Sequence, residues 1–325
     1  MENTLENGPA SGEKPVRVAV VGVGYLGKIH AKIYHGMANV ELVAVVDTNQ
    51  ASVDQVASDY GCQGFANVES LPEDLDAVSI VVPTSLHLPV AKYFLDRKIH
   101  TMLEKPIAPS VEESQAIVDA ANQSGAILQI GHLERFNAGV MKLAELAKHP
   151  RFIEIHRLGT FVERATDVDV VTDLMIHDID IVLSMVDSPL EHISATGTSV
   201  VTDHVDIANA RLEFADGAVA NVTASRVSRS QFRRIRVFSR QHYLGLNFSD
   251  QQLEEVLPGE VAPGARFPEL IHRKIPVEPQ LPLNAELAHF IDCVKNNTTP
   301  LVTGEHGLVA VQVAEKVRKK IANSM

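Results

Sequence analysis

Cysteine is nearly absent from this chain. Cys62 and Cys293 stand far apart and form no C-x-x-C, which excludes a zinc ribbon or a disulfide framework and leaves both as structural thiols. Cations are the second shortage. Lys and Arg number 29 against 41 Asp and Glu, a net charge of −12, so the surface lacks the clustered positive charge that binding nucleic acid requires. Long apolar runs are the third. None approaches the ~20 residues of a membrane-spanning helix, and the opening MENTLENGPASGEKP is polar, with no apolar signal-peptide core. The expectation is a soluble, cytoplasmic protein with neither nucleic acid nor membrane as a partner.

What is present is enough apolar material for two cores: 325 residues, 45% of them hydrophobic. Residues 1–14 have no hydrophobic period and read as a disordered tail. Over 15–133 short apolar runs (VRVAVVG, VELVAVVD, AVSIVVP, IHTMLEKP, AILQIGH) alternate with helical stretches at 25–36, 50–60, 86–98 and 111–124. Near-continuous apolar strands joined by helices predict an α/β domain with a doubly wound, parallel Rossmann sheet. Residues 134–325 differ in texture. The helical stretch VVTDLMIHDIDIVLSMV precedes alternating runs such as HISATGTSVV, ANARLEF, AVANVTASRV and RRIRVFS, with a hairpin turn at Asp216-Gly217. They predict an α+β domain with a mainly antiparallel sheet. A last amphipathic helix, GEHGLVAVQVAEKVRKKIA, is placed to pack back on the first domain.

The strongest signal is GVGYLG, residues 22–27, which follows a strand and opens a helix. Gly22 permits the turn, Gly24 lets backbone N–H groups approach a pyrophosphate, and Gly27 allows close helix-to-strand packing. Tyr25 and Leu26 lie inside the frame. Asp47 closes the second strand twenty residues after Gly27, where a carboxylate binds ribose hydroxyls and repels a 2′-phosphate. NAD is the expected cofactor.

Two weaker signals follow. Glu104-Lys105-Pro106 lies at the carboxyl end of a strand, the edge where ligands sit in such sheets, so Lys105 can act as a base or polarise a substrate oxygen. Read alone, it is also an ordinary exposed turn lysine. Asp173 and His177 stand at i and i+4 on one predicted helix face, with Asp180 three residues on; imidazole moves protons near neutral pH. A polar helix face is the bland alternative. A zinc site is not expected, because no further ligand pair stands nearby.

Together GVGYLG, PTSLH (Pro83 to His87), EKP and Asp173-x-x-x-His177 resemble the Gfo/Idh/MocA oxidoreductase family from about residue 16 to the C-terminus. The resemblance implies that Lys105 and His177 form the catalytic pair, that Asp173 orients a sugar, and that Thr84, His87 and Glu104 line the nicotinamide side. It also implies homo-oligomers. The stretch GHLERFNAGV resembles the GHxERFNP form of family branches that oxidise nucleotide sugars, similar to UDP-N-acetylglucosamine 3-dehydrogenases, with Ala138 replacing the usual proline. The resemblance implies a downstream aminotransferase that consumes the ketosugar, in lipid A or polysaccharide biosynthesis. Arg135 is then available to a phosphate or sugar hydroxyl, or to a surface pair with Glu134. Asn137 either bonds the sugar or caps the next helix, and Phe136 reads as core. Arg157, Arg164 and the cations of RVSRSQFRRIR are further choices for a diphosphate, or are simply exposed strand charges.

Overall fold

A computed structural model describes residues 14–163 and 168–324. The tail at 1–13 and Arg164 lie outside the described residues. The chain separates into two compact units: one runs to Gly131 and takes in Leu283–Leu308, and the other comprises His132–Pro282 and the chain from Val309.

The first unit is a six-stranded parallel sheet. Its strands are β1 (Val16–Val21), β2 (Val40–Val46), β3 (Gln63–Phe65), β4 (Ala77–Ile80), β5 (His100–Glu104) and β6 (Leu128–Gly131), in the order β3-β2-β1-β4-β5-β6. The order reverses between β1 and β4, so a crevice opens beyond their carboxyl ends; this is the doubly wound arrangement predicted from the apolar runs. Four helices cross over between strands: α1 (Tyr25–His35), α2 (Gln50–Tyr60), α3 (His87–Leu95) and α4 (Val111–Ser124). Their ends obey local chemistry. Asn49 caps α2 by accepting from Ser52 N–H, Ser110 caps α4 by accepting from Glu113 N–H, and Gly61 and Gly125 close the same helices in the left-handed region. Three-residue β3 has too little length to write a pattern in sequence.

The second unit holds α5 (Ala138–Leu146), β7 (Phe152–Leu158), α6 (Ile176–Met185), β8 (Leu190–Thr198), β9 (Ile207–Phe214), β10 (Val219–Ser225), β11 (Phe232–Ser239), β12 (His242–Asn247), β13 (Gln252–Pro258) and β14 (Leu270–Ile275). The eight strands form one sheet, β14-β13-β12-β11-β7-β10-β9-β8. It is antiparallel throughout except where β7 pairs with β10. Alternation does the work here: Ile153 and Ile155 of β7, Val222 of β10 and Ile235 and Val237 of β11 turn inward and are buried. Asp216 and Gly217 make the expected hairpin between β9 and β10, with Gly217 at φ +81°.

Two helices complete the chain. The first, α7 (Pro282–Asn296), turns Leu287, Phe290, Ile291 and Cys293 into the core of the Rossmann unit beside Val18, Val20, Ala31 and Tyr34. In α8 (Gly304–Ala322) the division between units falls after Leu308. Its opening turn sits close on the Rossmann unit, since a Cβ on Gly307 would stand 2.9 Å from Ile130 Cγ1. Among the described residues no helix is long and apolar enough to cross a membrane.

Candidate active site

In the Rossmann unit the three glycines of GVGYLG have three different surroundings. Gly22 sits at φ +91°, and a Cβ there would come within 2.3 Å of the Val81 carbonyl oxygen. At Gly27 a Cβ would meet the Gly22 carbonyl oxygen at 1.8 Å. Gly24 is the opposite: exposed, with nothing within 4 Å of an added Cβ. It is also the N-cap of α1, a helix start with no side-chain cap and no acidic residue in its first turn. The N–H groups of a helix's first turn have no intrahelical acceptor, and open space beside them suits a pyrophosphate. Tyr25 is 76% exposed at the rim, and Leu26 is half-buried behind it.

Asp47, at the end of β2, accepts from Val23 N–H (2.8 Å) and Asn49 N–H (2.9 Å). The carboxylate therefore ties the glycine loop to the second strand, and each oxygen keeps a lone pair for a ribose hydroxyl. Thr84 opens a short 3₁₀ turn ahead of α3 and is half-buried. His87 is buried, with Nε2 3.0 Å from the Val82 carbonyl and Nδ1 3.0 and 3.3 Å from those of Pro106 and Ile107. Burial pushes the His87 pKa down, against the pull of these carbonyls. The ring sits between the loops after β4 and β5 with both nitrogens facing backbone carbonyls, and in its neutral form it donates to one side only. Lys105 is half-buried at the end of β5, before a cis peptide bond to Pro106. Glu104 is buried beside it, one oxygen accepting from Lys105 N–H at 3.3 Å and the other 3.3 Å from His30 Nε2.

The second unit carries the Asp173–His177 pair, but not on the uniform helix its spacing predicts. Val171–Met175 forms a π turn in which Ile176 N–H reaches the Val171 carbonyl five residues back, and α6 begins only afterwards. Such turns recur at functional sites. Asp169 starts the turn, accepting from the N–H groups of Val171 and Thr172, and Arg318 of α8 pairs with it at 2.9 Å. Asp173 is half-buried in the turn. His177 is buried, 6.0 Å edge-to-face from the ring of His132, a neighbour the sequence reading passed over.

The ERFN stretch departs furthest from expectation. Glu134 does not pair with Arg135; it accepts from Arg157 Nη1 at 2.8 Å, while Arg157 grips Asp178 through Nε and Nη2 at 2.7–3.1 Å. All three are buried. Arg157 is thus unavailable to a diphosphate, and the two carboxylates hold its pKa well above the ordinary value despite burial. Burial pushes Asp178 up, and Arg157 opposes the rise. Arg135 turns to Asp180 Oδ1 at 3.5 Å and is 13% exposed, Phe136 is core, and Asn137 caps α5. The Asn137 amide is fully committed: Oδ1 accepts from Gly139 and Val140 N–H, and Nδ2 donates to the Phe248 carbonyl. The sugar-binding alternative for Asn137 gives way to the cap. Among the cations of RVSRSQFRRIR, Arg226 pairs with Asp206, Arg234 with Glu254 and Arg236 with Glu154, which leaves Arg229 exposed and Arg233 beside the Arg157 cluster.

The sequence model of an oxidoreductase family with an NAD-binding Rossmann fold matches residues 16–132, and that of the GFO/IDH/MocA C-terminal domain matches residues 146–243. The chain belongs to the Gfo/Idh/MocA family. It is an oxidoreductase, and its cofactor is NAD. Among named members of the family it is similar to the UDP-N-acetylglucosamine 3-dehydrogenase of Acidithiobacillus ferrooxidans, 33% identical over 305 residues that cover 93% of this chain and 96% of that one. A solved structure of that enzyme superposes with a TM-score of 0.89 at 32% identity, covering 95% of this chain and 98% of the other. The scyllo-inositol 2-dehydrogenase of Bacillus subtilis is 27% identical over 335 residues, 96% of each chain. Gfo/Idh/MocA membership accounts for the Rossmann unit and its open Gly24; it leaves the sugar undetermined, since both nucleotide-sugar and cyclitol dehydrogenases are relatives.

Proposed function

We propose that this protein oxidises a sugar hydroxyl to a ketone with NAD, at C3 of a UDP-N-acetylhexosamine, UDP-N-acetylglucosamine above all. One observation carries the reading: near-full-length similarity to a UDP-N-acetylglucosamine 3-dehydrogenase at 33% identity, against 27% for the inositol enzyme. The filled ERFN turn moves the weight of this reading off individual side chains, because only Arg135 keeps some exposure. Residues 15–133 serve as the NAD domain and 134–325 as the substrate and oligomerisation domain, except that Leu283–Leu308 belongs to the compact unit of the NAD domain.

When bound, NAD supplies the hydride acceptor. The remaining chemistry belongs to the chain. Gly22, Gly24 and Gly27 shape the pyrophosphate loop, and Asp47 accepts the ribose hydroxyls and disfavours a 2′-phosphate. Thr84 and the Glu104-Lys105 strand end border the nicotinamide, with His87 fixing their loops. Lys105 and His177 hold the reacting hydroxyl, one of them removing its proton, while Asp173 and Arg135 orient the sugar. An aminotransferase consuming the 3-ketone would draw the reaction forward, as in cytoplasmic lipid A or polysaccharide precursor synthesis by a homo-oligomer.

The test is direct. Enzyme, NAD and UDP-N-acetylglucosamine are incubated with a ketone-trapping amine, and NADH is followed by absorbance; turnover should exceed that with free inositol or glucose. NADH from inositol and none from the nucleotide sugar would transfer the activity to cyclitols, the reading that the inositol relative favours.

A further inference from the structure

The buried stripe of α1 is Gly27, His30, Ala31 and Tyr34, and two of its four members are polar. A histidine on such a stripe needs partners, because a buried polar group without them is costly. His30 is fully buried, and its Nδ1 lies 2.7 Å from Ser79 Oγ on β4, itself fully buried. Its Nε2 lies 3.3 Å from Glu104 Oε1, an ion-pair distance outside hydrogen-bond geometry, and among the described residues neither atom has a hydrogen-bonding partner. Each is therefore the polar group the other faces. We propose that His30 is a positioning residue of the Glu104-Lys105 strand end: anchored to Ser79, its ring faces the Glu104 carboxylate and holds it behind Lys105.

The tautomer follows from what each group can do. A carboxylate only accepts, so the ring presents Nε2–H toward Glu104. Nδ1 then accepts from the Ser79 hydroxyl, which can donate to it. One turn further along the stripe the Tyr34 hydroxyl keeps its hydrogen: burial pushes its pKa up, with Glu286 and Glu104 adding to the rise and Ser79 opposing it. The carboxylate is equally constrained. Glu104 Oε2 accepts from Lys105 N–H, and a Cβ on Gly131 of β6 would stand 2.9 Å from it, so the carboxylate is wedged between strands. A fixed anion whose other oxygen holds the Lys105 peptide sets the base from which the Lys105 ammonium is aimed. A buried polar contact of this kind is strengthened by the low dielectric around it.

The inference rests on the catalytic part proposed for Lys105. Two substitutions separate polarity from packing: His30→Gln keeps a donor toward Glu104 and an acceptor for Ser79, whereas His30→Met fills the space with neither. With whichever sugar the wild type oxidises, His30→Met should lose about tenfold in kcat, the scale of one charge-assisted hydrogen bond. The Kd for NAD should change much less, His30→Gln should recover most of kcat, and His30→Met should cost nothing further in a Glu104→Gln background. Equal losses in both single variants, or wild-type kcat in His30→Met, would overturn the proposal. A second measurement needs no substrate. In ¹⁵N-histidine spectra of the wild type, with His30 assigned by its loss in His30→Gln, the ring should carry a hydrogen on Nε2; an Nδ1–H tautomer, which turns a lone pair toward Glu104, would refute the proposal. If neither nucleotide sugar nor inositol were oxidised, the proposed function would fall while these spectra still judged His30.

Discussion

The GVGYLG loop and the ERFN turn follow strands of the same sheet, β1 and β6, and both are short motifs that resemble the family, yet they are used in opposite ways. In the glycine loop the motif consists of missing side chains, and the space at Gly24 is left outside the fold. In ERFN the motif consists of large polar side chains, and they turn inward: Glu134 to Arg157, Arg135 to Asp180, Asn137 to the start of α5. A motif written in backbone freedom points to a ligand more directly than one written in charge. Charged residues can satisfy one another, and here they do.

The sharpest way to break that contrast is Arg157→Met. If Arg157 is the internal partner of Glu134 and Asp178, two buried carboxylates are left uncompensated, and urea unfolding should show a loss of roughly 3–5 kcal/mol or failure to fold. A diphosphate-binding arginine would instead raise KM and leave stability alone. Next come Lys105→Met and His177→Ala, each expected to lose roughly 10²-fold or more in kcat while melting like the wild type and binding NAD. Wild-type turnover in either would make that residue structural.

Gly24→Ala tests the glycine loop from the other side. The fold should not register the methyl, so the melting temperature stays unchanged, while calorimetry should show NAD binding about tenfold weaker, as a methyl displaces the pyrophosphate from its N–H groups. Unchanged affinity would mean that the open space is not the pyrophosphate seat. The smallest effect belongs to Asn137→Ala. Loss of the cap should cost about 1 kcal/mol in chemical denaturation, with KM for the sugar unaltered. A raised KM with intact stability would return Asn137 to the substrate.

These contrasts also explain what the sequence made legible. Strands buried on both faces write themselves as apolar runs, so β1, β2, β4, β5 and β6 are readable, as are the alternating β9, β10 and β11. By contrast β14 is exposed along nearly its whole length and leaves no pattern. The α7 segment carries no expectation in sequence, and its destination is not readable, because its partners on β1 and α1 lie some 250 residues earlier in the chain. At the site the glycine spacing was informative because Gly22 and Gly27 have a steric reason within the fold and Gly24 opens on free space. Residue types alone do not say where a side chain points, so Arg157 and Asp178, 21 residues apart, are not identifiable as partners. His30 did leave a trace: a histidine at i+3 from Gly27 and i−4 from Tyr34 lies on the buried stripe of α1.

The allegiance of α7 has a consequence for how the protein can be taken apart. Phe290, Ile291 and Cys293 complete the apolar cluster around Val18, Val20 and Tyr34, so the stretch up to Gly131 lacks one wall of its core. Residues 132–282 are, in connectivity, a long insert between two pieces of a single hydrophobic body. A fragment cut at the family boundary near residue 132 would carry every cofactor motif and still expose an apolar face. Splicing residues 14–131 directly to 283–308 restores the missing wall, and it makes the spliced chain, rather than the N-terminal fragment, the smallest piece expected to survive alone.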